Sequence, residues 1–266
     1  MYLHYVKSDR PALLAGTISF CHDHKITGSQ LRARYLMPYR KTIICLANSI
    51  KHHPFRCIAG KDVNGENDWI RPVTADREAE GAIPRTMTIC SDRREIDILD
   101  IAEIQFSAPA PRHCQTENHL VVPDTQWKKC GRIGWDDLDN LVDHTAGLWG
   151  TNSSRSELND QISVEDARRF NDSLRLIKPS DFVVHVQEVR GQNGPKPTMR
   201  GTFRHMGRRY SLSVTDPFYK DQIRNFAIGT EIRLDDVYVT VSVSDEFRER
   251  AMHYKLIAAI ITPDRC

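Results

Sequence analysis

From residue 42 onward the chain is a succession of short apolar runs separated by turn formers. Residues 42–47, 55–59 and 69–73 are rich in β-branched and aromatic side chains and read as antiparallel strands. Between the second and third runs lies Lys61-Asp-Val-Asn-Gly65, whose Asn-Gly favours positive φ and a tight reversal. Residues 98–106 predict another strand, ended by Ala-Pro-Ala-Pro at 108–111. Four or five short strands with irregular loops suit a small barrel.

The period changes at residues 134–178. Leu138, Leu141 and Val142 fall at helical spacing, and Ser163 with Asp166 three positions on makes a capping box for a helix predicted to run to about Leu174. Strand patterning returns at 182–189, 199–204, 209–214, 237–243 and 254–261. In the hairpin over 199–214, Met199, Gly201, Phe203, Tyr210, Leu212 and Val214 define an apolar face. Arg200, Arg204 and Arg209 lie on the other, with Arg208 near the tip. The first 36 residues are polar, rich in His and without sustained periodicity, so they are expected to form a loose arm or to precede a true start at Met37. The resulting division is an N-terminal extension at 1–40, a first barrel at 41–133, a helical connector at 134–179 and a second barrel at 180–266. The fold class is mainly β with a helical connector.

Composition agrees with a folded chain: 40% hydrophobic and 27% charged residues are ordinary globular values. No window is apolar enough for a membrane span and no secretory signal opens the chain, so a cytoplasmic location is expected. Seven scattered cysteines without a C-x-x-C pair read as reduced thiols, several of them small core residues. The formal charge of +2 hides segregation: residues 1–56 hold nine Lys and Arg against two Asp and Glu, and residues 178–211 hold seven against two. Such segments create local fields attractive to phosphates, or serve as solvated surface.

Ile43-Ile-Cys-Leu-Ala-Asn-Ser49, Arg56-Cys-Ile-Ala-Gly-Lys61, Trp69-Ile-Arg-Pro-Val73, Leu99-Asp-Ile-Ala-Glu-Ile104 and Gln115-Thr-Glu-Asn118 resemble the first half of the dual OB-containing domain family. Ser173-Leu-Arg-Leu-Ile-Lys-Pro179, Tyr210-Ser-Leu-Ser-Val-Thr-Asp-Pro217 and Tyr254-Lys-Leu-Ile-Ala-Ala-Ile260 resemble its second half. The resemblance covers about residues 41–261. It implies two OB-like five-stranded barrels in tandem, in bacterial proteins, with nucleic-acid or nucleotide recognition as the suspected activity and no agreed catalytic residues.

Candidate contacts follow from charge and aromaticity. In the first barrel they are Lys51, Arg56, Lys61, Trp69 and Arg71, where Trp69 and Arg71 share a strand face and could stack a base and pair a phosphate. The competing reading makes Trp69 a core residue. Gln115 and Asn118 could read a base edge or make local turn bonds. In the second barrel Arg200, Arg204, Arg208 and Arg209 would contact phosphates, since no acid lies near them in the sequence. Cys21-His22-Asp23-His24 packs four potential ligands together but lacks a second, distant pair, and no metal or cofactor is assigned. Phosphate-loop, dinucleotide, nucleophile-elbow and zinc-protease motifs are absent, and Asp100, Glu103 and Asp216 read as structural, so no catalytic residue is assigned. A binding module for single-stranded or irregular DNA or RNA is the leading expectation. Its rivals are a nuclease or nucleotide-acting hydrolase, and a protein-interaction scaffold in a bacterial defence or stress system.

Overall fold

The first long apolar run becomes β1 (Tyr39–Ile50), longer at both ends than its sequence core. It turns into β2 (Phe55–Asp62) and then β3 (Trp69–Val73), all antiparallel. A two-residue strand, β4 (Ile83–Pro84), pairs with β2. The chain returns as β5 (Asp100–Pro109), β6 (Asn118–Val121) and β7 (Lys128–Arg132). β6 lies parallel to β3, with Arg71 opposite Asn118, and antiparallel to β5. β5 pairs back onto β1, with Ile43 opposite Ala102, so five strands close into a barrel. The interior positions of so small a barrel are filled by side chains. Here Ile58, Ile104, Phe106 and Trp127 fill it, all buried. A computed structural model describes residues 37–76, 78–155, 157–191 and 194–266. The arm and the metal-ligand cluster at 21–24 fall outside the described residues.

The second sheet repeats the path. β8 (Gln161–Ser163), α1 (Val164–Ala167) and β9 (Leu174–Ile177) precede the meander β10 (Ser180–Gly191), β11 (Gly194–His205) and β12 (Arg208–Val214). After α2 (Pro217–Gln222) come β13 (Glu231–Leu234), β14 (Tyr238–Val243) and β15 (Met252–Ile261). β15 lies parallel to β12 and antiparallel to β14, as β6 does to β3 and β5. Where the first module closes on itself, β13 pairs with β10 and β9 pairs with β14.

The predicted hairpin has the expected register: Phe203 faces Tyr210, Arg204 faces Arg209, and Met206-Gly207 turn at φ 48° and 74°. Each meander has a glycine in its second strand, required at Gly60, where backbone stands in the way, and favoured at Gly201, where a side-chain methyl does. A Cβ on Gly60 would stand 2.1 Å from the Ile44 carbonyl oxygen, and one on Gly201 2.3 Å from Ile257 Cδ1.

Two expectations need correction. Ser163 does cap a helix, accepting from Asp166 N at 3.0 Å, but the helix ends at Ala167 and Leu174 belongs to a strand. Pairing of Val239 with Ile177 and Val241 with Arg175 recruits that segment, so long-range ladder bonds override local helical pattern. The stretch 134–179 therefore contributes two strands to the second sheet as well as a 3₁₀ turn at Trp135–Leu141. Tyr39 and Arg40 also pair, with Phe106 and Gln105, and belong to the barrel and not to an extension ending at residue 40.

Met37–Cys266 form one compact unit. Leu176, Tyr238, Ala259 and Ile261 of the second sheet complete the first barrel's apolar cluster. At the seam the buried side chains are small (Ala47, Ala59, Ala258, with Leu174), which lets backbones approach. Thr240 Oγ1 donates to the Leu46 carbonyl at 2.5 Å, and Ile50 N to the Thr215 carbonyl at 3.0 Å. No helix among the described residues is long and apolar enough to cross a membrane.

Candidate nucleic-acid interface

OB barrels bind ligands over their second and third strands and the loops joining strands 1–2 and 4–5. In the first module these are β2, β3, residues 51–54 and residues 110–117. They border a cavity of about 600 Å³ whose opposite wall is β14, β15 and the hairpin loop 244–251. A second cavity of about 350 Å³ shares Lys51, Cys57, Arg71, Glu80, Gln115 and Asp245 with it. On the other side of the 244–251 loop a third, of about 870 Å³, shares Ser244, Phe247 and Leu256 and continues along β11, β12 and β15. The three form one groove across both modules.

Charge is paired where the two loops of the first module meet the 244–251 loop. Lys51 Nζ lies 2.5 Å from Asp245 Oδ2 and 3.3 Å from Glu80 Oε2, while Arg112 and Gln115 approach Asp245 Oδ1 at 3.7 and 3.4 Å. Burial pushes the Asp245 carboxyl upward, but the hydrogen bond and charge of Lys51, with Arg112 and Arg71, hold it below its ordinary value. Burial likewise opposes the Lys51 ammonium, and Asp245 outweighs it to raise the Lys51 pKa. Beneath them Arg71 Nη2 donates to Ser173 Oγ at 2.9 Å and lies 3.4 Å from Glu117 Oε1, which accepts from the same serine hydroxyl. Asn118 Nδ2 donates to Gln115 Oε1 at 3.2 Å.

In the third cavity Arg200 Nε lies 2.5 Å from Glu157 Oε1. Lys255 is buried, donates to the Gly150 and Asn159 carbonyls, and has its pKa pushed down to about 7, chiefly by burial. Phe247, 54% exposed, sits on the dividing loop between this cavity and the first, its ring 5.7 Å from Tyr254.

Of the sequence candidates, Lys51, Arg71, Gln115 and Asn118 converge. Arg56 does not: it is buried beside Glu95, Nε 3.4 Å from Oε1. Lys61, expected near a turn, is buried within β2 and bonds the Leu141 carbonyl and Asp143. Trp69 and Arg71 share a half-buried face of β3, as expected. Trp69 nonetheless donates its indole N–H to Asp143 Oδ2 at 2.9 Å and lines a separate cavity.

On the second-module hairpin the expectation of unpartnered cations is overturned for two. Arg200 pairs with Glu157, and Arg204 Nε lies 3.3 Å from Asp181 Oδ2. Arg208 and Arg209 are exposed at the turn. Sequence reasoning missed Arg112, Asp245 and the 247–255 hairpin. Its one readable signal is Phe247-Arg-Glu-Arg250, an aromatic followed by two arginines. Asp100 is buried against Lys129 and Arg132, and Asp216 caps α2 while pairing with Arg265, both structural roles. Among the described residues no three His, Cys, Asp or Glu side chains are grouped to hold a metal.

Comparison with curated proteins finds no match. Among solved structures the chain is similar to the tetrameric p202 HIN2, at 10% identity and TM-score 0.29, covering 84% of this chain and 92% of that one. It is also similar to the Ifi202 HINa domain in complex with 20-bp dsDNA, at 8% identity and TM-score 0.25, covering 77% and 86%. Likenesses this loose leave the functional reading to this chain's own geometry. The model of the dual OB-containing domain matches residues 41–260, spanning both modules and the seam between them. By that match, and by two successive meanders each joined through a parallel third and fifth strand, the chain belongs to the dual OB-containing domain family.

Proposed function

We propose that the protein binds single-stranded or irregular nucleic acid along the groove that crosses both modules. The observation that carries this reading is the continuity of the three cavities over the strand 2–3 side of the first module, past exposed Phe247, onto β11 and β12 of the second. An extended polymer needs a track longer than one pocket, with cations for phosphates and aromatic faces for bases. Lys51, Arg71 and Arg112 serve the first part, Arg248 and Arg250 the dividing loop, and Arg155 and Arg200 the last. Cavities of these volumes accept an unstacked base, which a duplex keeps inside its own stack.

Fluorescence anisotropy with labelled oligothymidylate, oligouridylate and a duplex tests it. The single strands should bind more tightly than the duplex, and log affinity should fall linearly with log salt, by about 0.7 for each phosphate neutralised. Absence of binding at low salt, or binding indifferent to salt, overturns the proposal.

A further inference from the structure

Three donors from the two recognition loops of the first module converge on a single carboxylate of the second. Lys51, in the loop joining the first two strands, meets Asp245 Oδ2 at 2.5 Å; Gln115 and Arg112, in the loop joining the fourth and fifth, meet Oδ1 at 3.4 and 3.7 Å. A carboxylate has one negative charge shared over two oxygens, and so does a phosphodiester. The site is also open to exchange, because the side chains of Asp245 and Arg112 are 32% and 52% exposed. The hairpin carrying Asp245 is fixed at its base by Ser244 N to the Tyr254 carbonyl and Phe247 N to the Met252 carbonyl, each 2.8 Å. Release therefore needs only a side-chain torsion.

We propose that Lys51, Arg112 and Gln115 form a phosphate subsite that Asp245 occupies in the free protein, and that a backbone phosphate of the nucleic acid replaces it. This rests on the nucleic-acid reading above. Asp245 is then a built-in competitor. It keeps three converging donors satisfied when no ligand is present, and it weakens binding by the cost of breaking its own contacts.

The test measures oligothymidylate binding by the full chain at fixed salt. Asp245→Asn should bind about fivefold tighter, the scale of one partly exposed ion pair. Glu249→Gln, which neutralises an exposed acid of the same loop, should show only the smaller gain of a weakened repulsive field. Arg112→Gln, at an exposed position where folding is not at stake, should weaken binding and make the salt slope shallower by about 0.7. Equal gains for Asp245→Asn and Glu249→Gln, or an Arg112→Gln variant with unchanged affinity and slope, overturn the exchange while leaving nucleic-acid binding standing. No binding by any form, wild type included, overturns both.

Discussion

Replacing Lys61 by Met separates a binding lysine from a structural one. Its ammonium donates to the Leu141 carbonyl at 2.7 Å and to Asp143 Oδ1 at 2.6 Å, and the side chain is 2% exposed against 20% for Asp143. Methionine keeps most of the volume, so the loss is electrostatic and not a cavity. Breaking a buried ion pair costs about 3–5 kcal/mol because the surviving partner is left charged and desolvated. Asp143 is partly wet and still accepts from Trp69 Nε1 at 2.9 Å and Leu176 N at 2.7 Å, which places the cost near the lower end, about 3 kcal/mol. For a domain of this size that is a fall of about 6–12 °C in melting temperature. Adding Asp143→Asn removes the stranded charge, so the double variant should melt above Lys61→Met alone. Thermal melts are read beside oligothymidylate binding well below both midpoints, where affinity should be unchanged. A wild-type melting temperature with lost binding would refute the reasoning and return Lys61 to the interface.

Phe247→Ala should weaken single-strand binding by about 1–3 kcal/mol, the worth of one stacked base. Its exposed ring predicts an unchanged melting temperature, so anisotropy and melts together decide. Lys255 carries a pH signature: its folded pKa of about 7 lies below the ordinary 10.5, so between those values the unfolded chain holds a proton that the folded chain has released. Stability should therefore rise with pH across that window, by up to about 1.4 kcal/mol per pH unit, and urea midpoints for Lys255→Met should lose that rise.

Strands were legible where local composition and ladder agree. β3 has the bounds that its run of Trp, Ile and Val predicts, and the 199–214 hairpin has its register, because alternation and the Met-Gly turn specify one pairing. Six strands, β4, β6, β7, β8, β9 and β13, were not legible. β6 opens with Asn-His, β7 is Lys-Lys-Cys-Gly-Arg and β13 starts on Glu, so none of these three carries an apolar run. Their pairing depends on neighbours distant in sequence. β9 shows the same physics in reverse: its residues Leu174, Leu176 and Ile177 are buried by β14 and the seam, and that burial decides against the helix its upstream cap suggests.

The site was half legible for a related reason. A cation announces itself in sequence, but its partner does not. Glu157 neutralises Arg200 from an upstream loop, Asp181 neutralises Arg204 from the start of β10, and Asp245 reaches Lys51 across the seam between modules. That last pairing ties recognition to architecture. Arg71, too, is held by Ser173, which directly precedes β9 of the second sheet, and the first barrel's apolar cluster is completed by Leu176, Tyr238, Ala259 and Ile261. Cutting the chain between the modules would expose that apolar face and strip Lys51 of Asp245 and Arg71 of Ser173, leaving each with one acid of its own module, Glu80 and Glu117. The groove thus exists only where both modules are present, and the family match from 41 to 260 runs through the seam as one unit. The first barrel alone would present a different and less stable surface, with Lys51 and Arg71 short of the partners that the second module supplies.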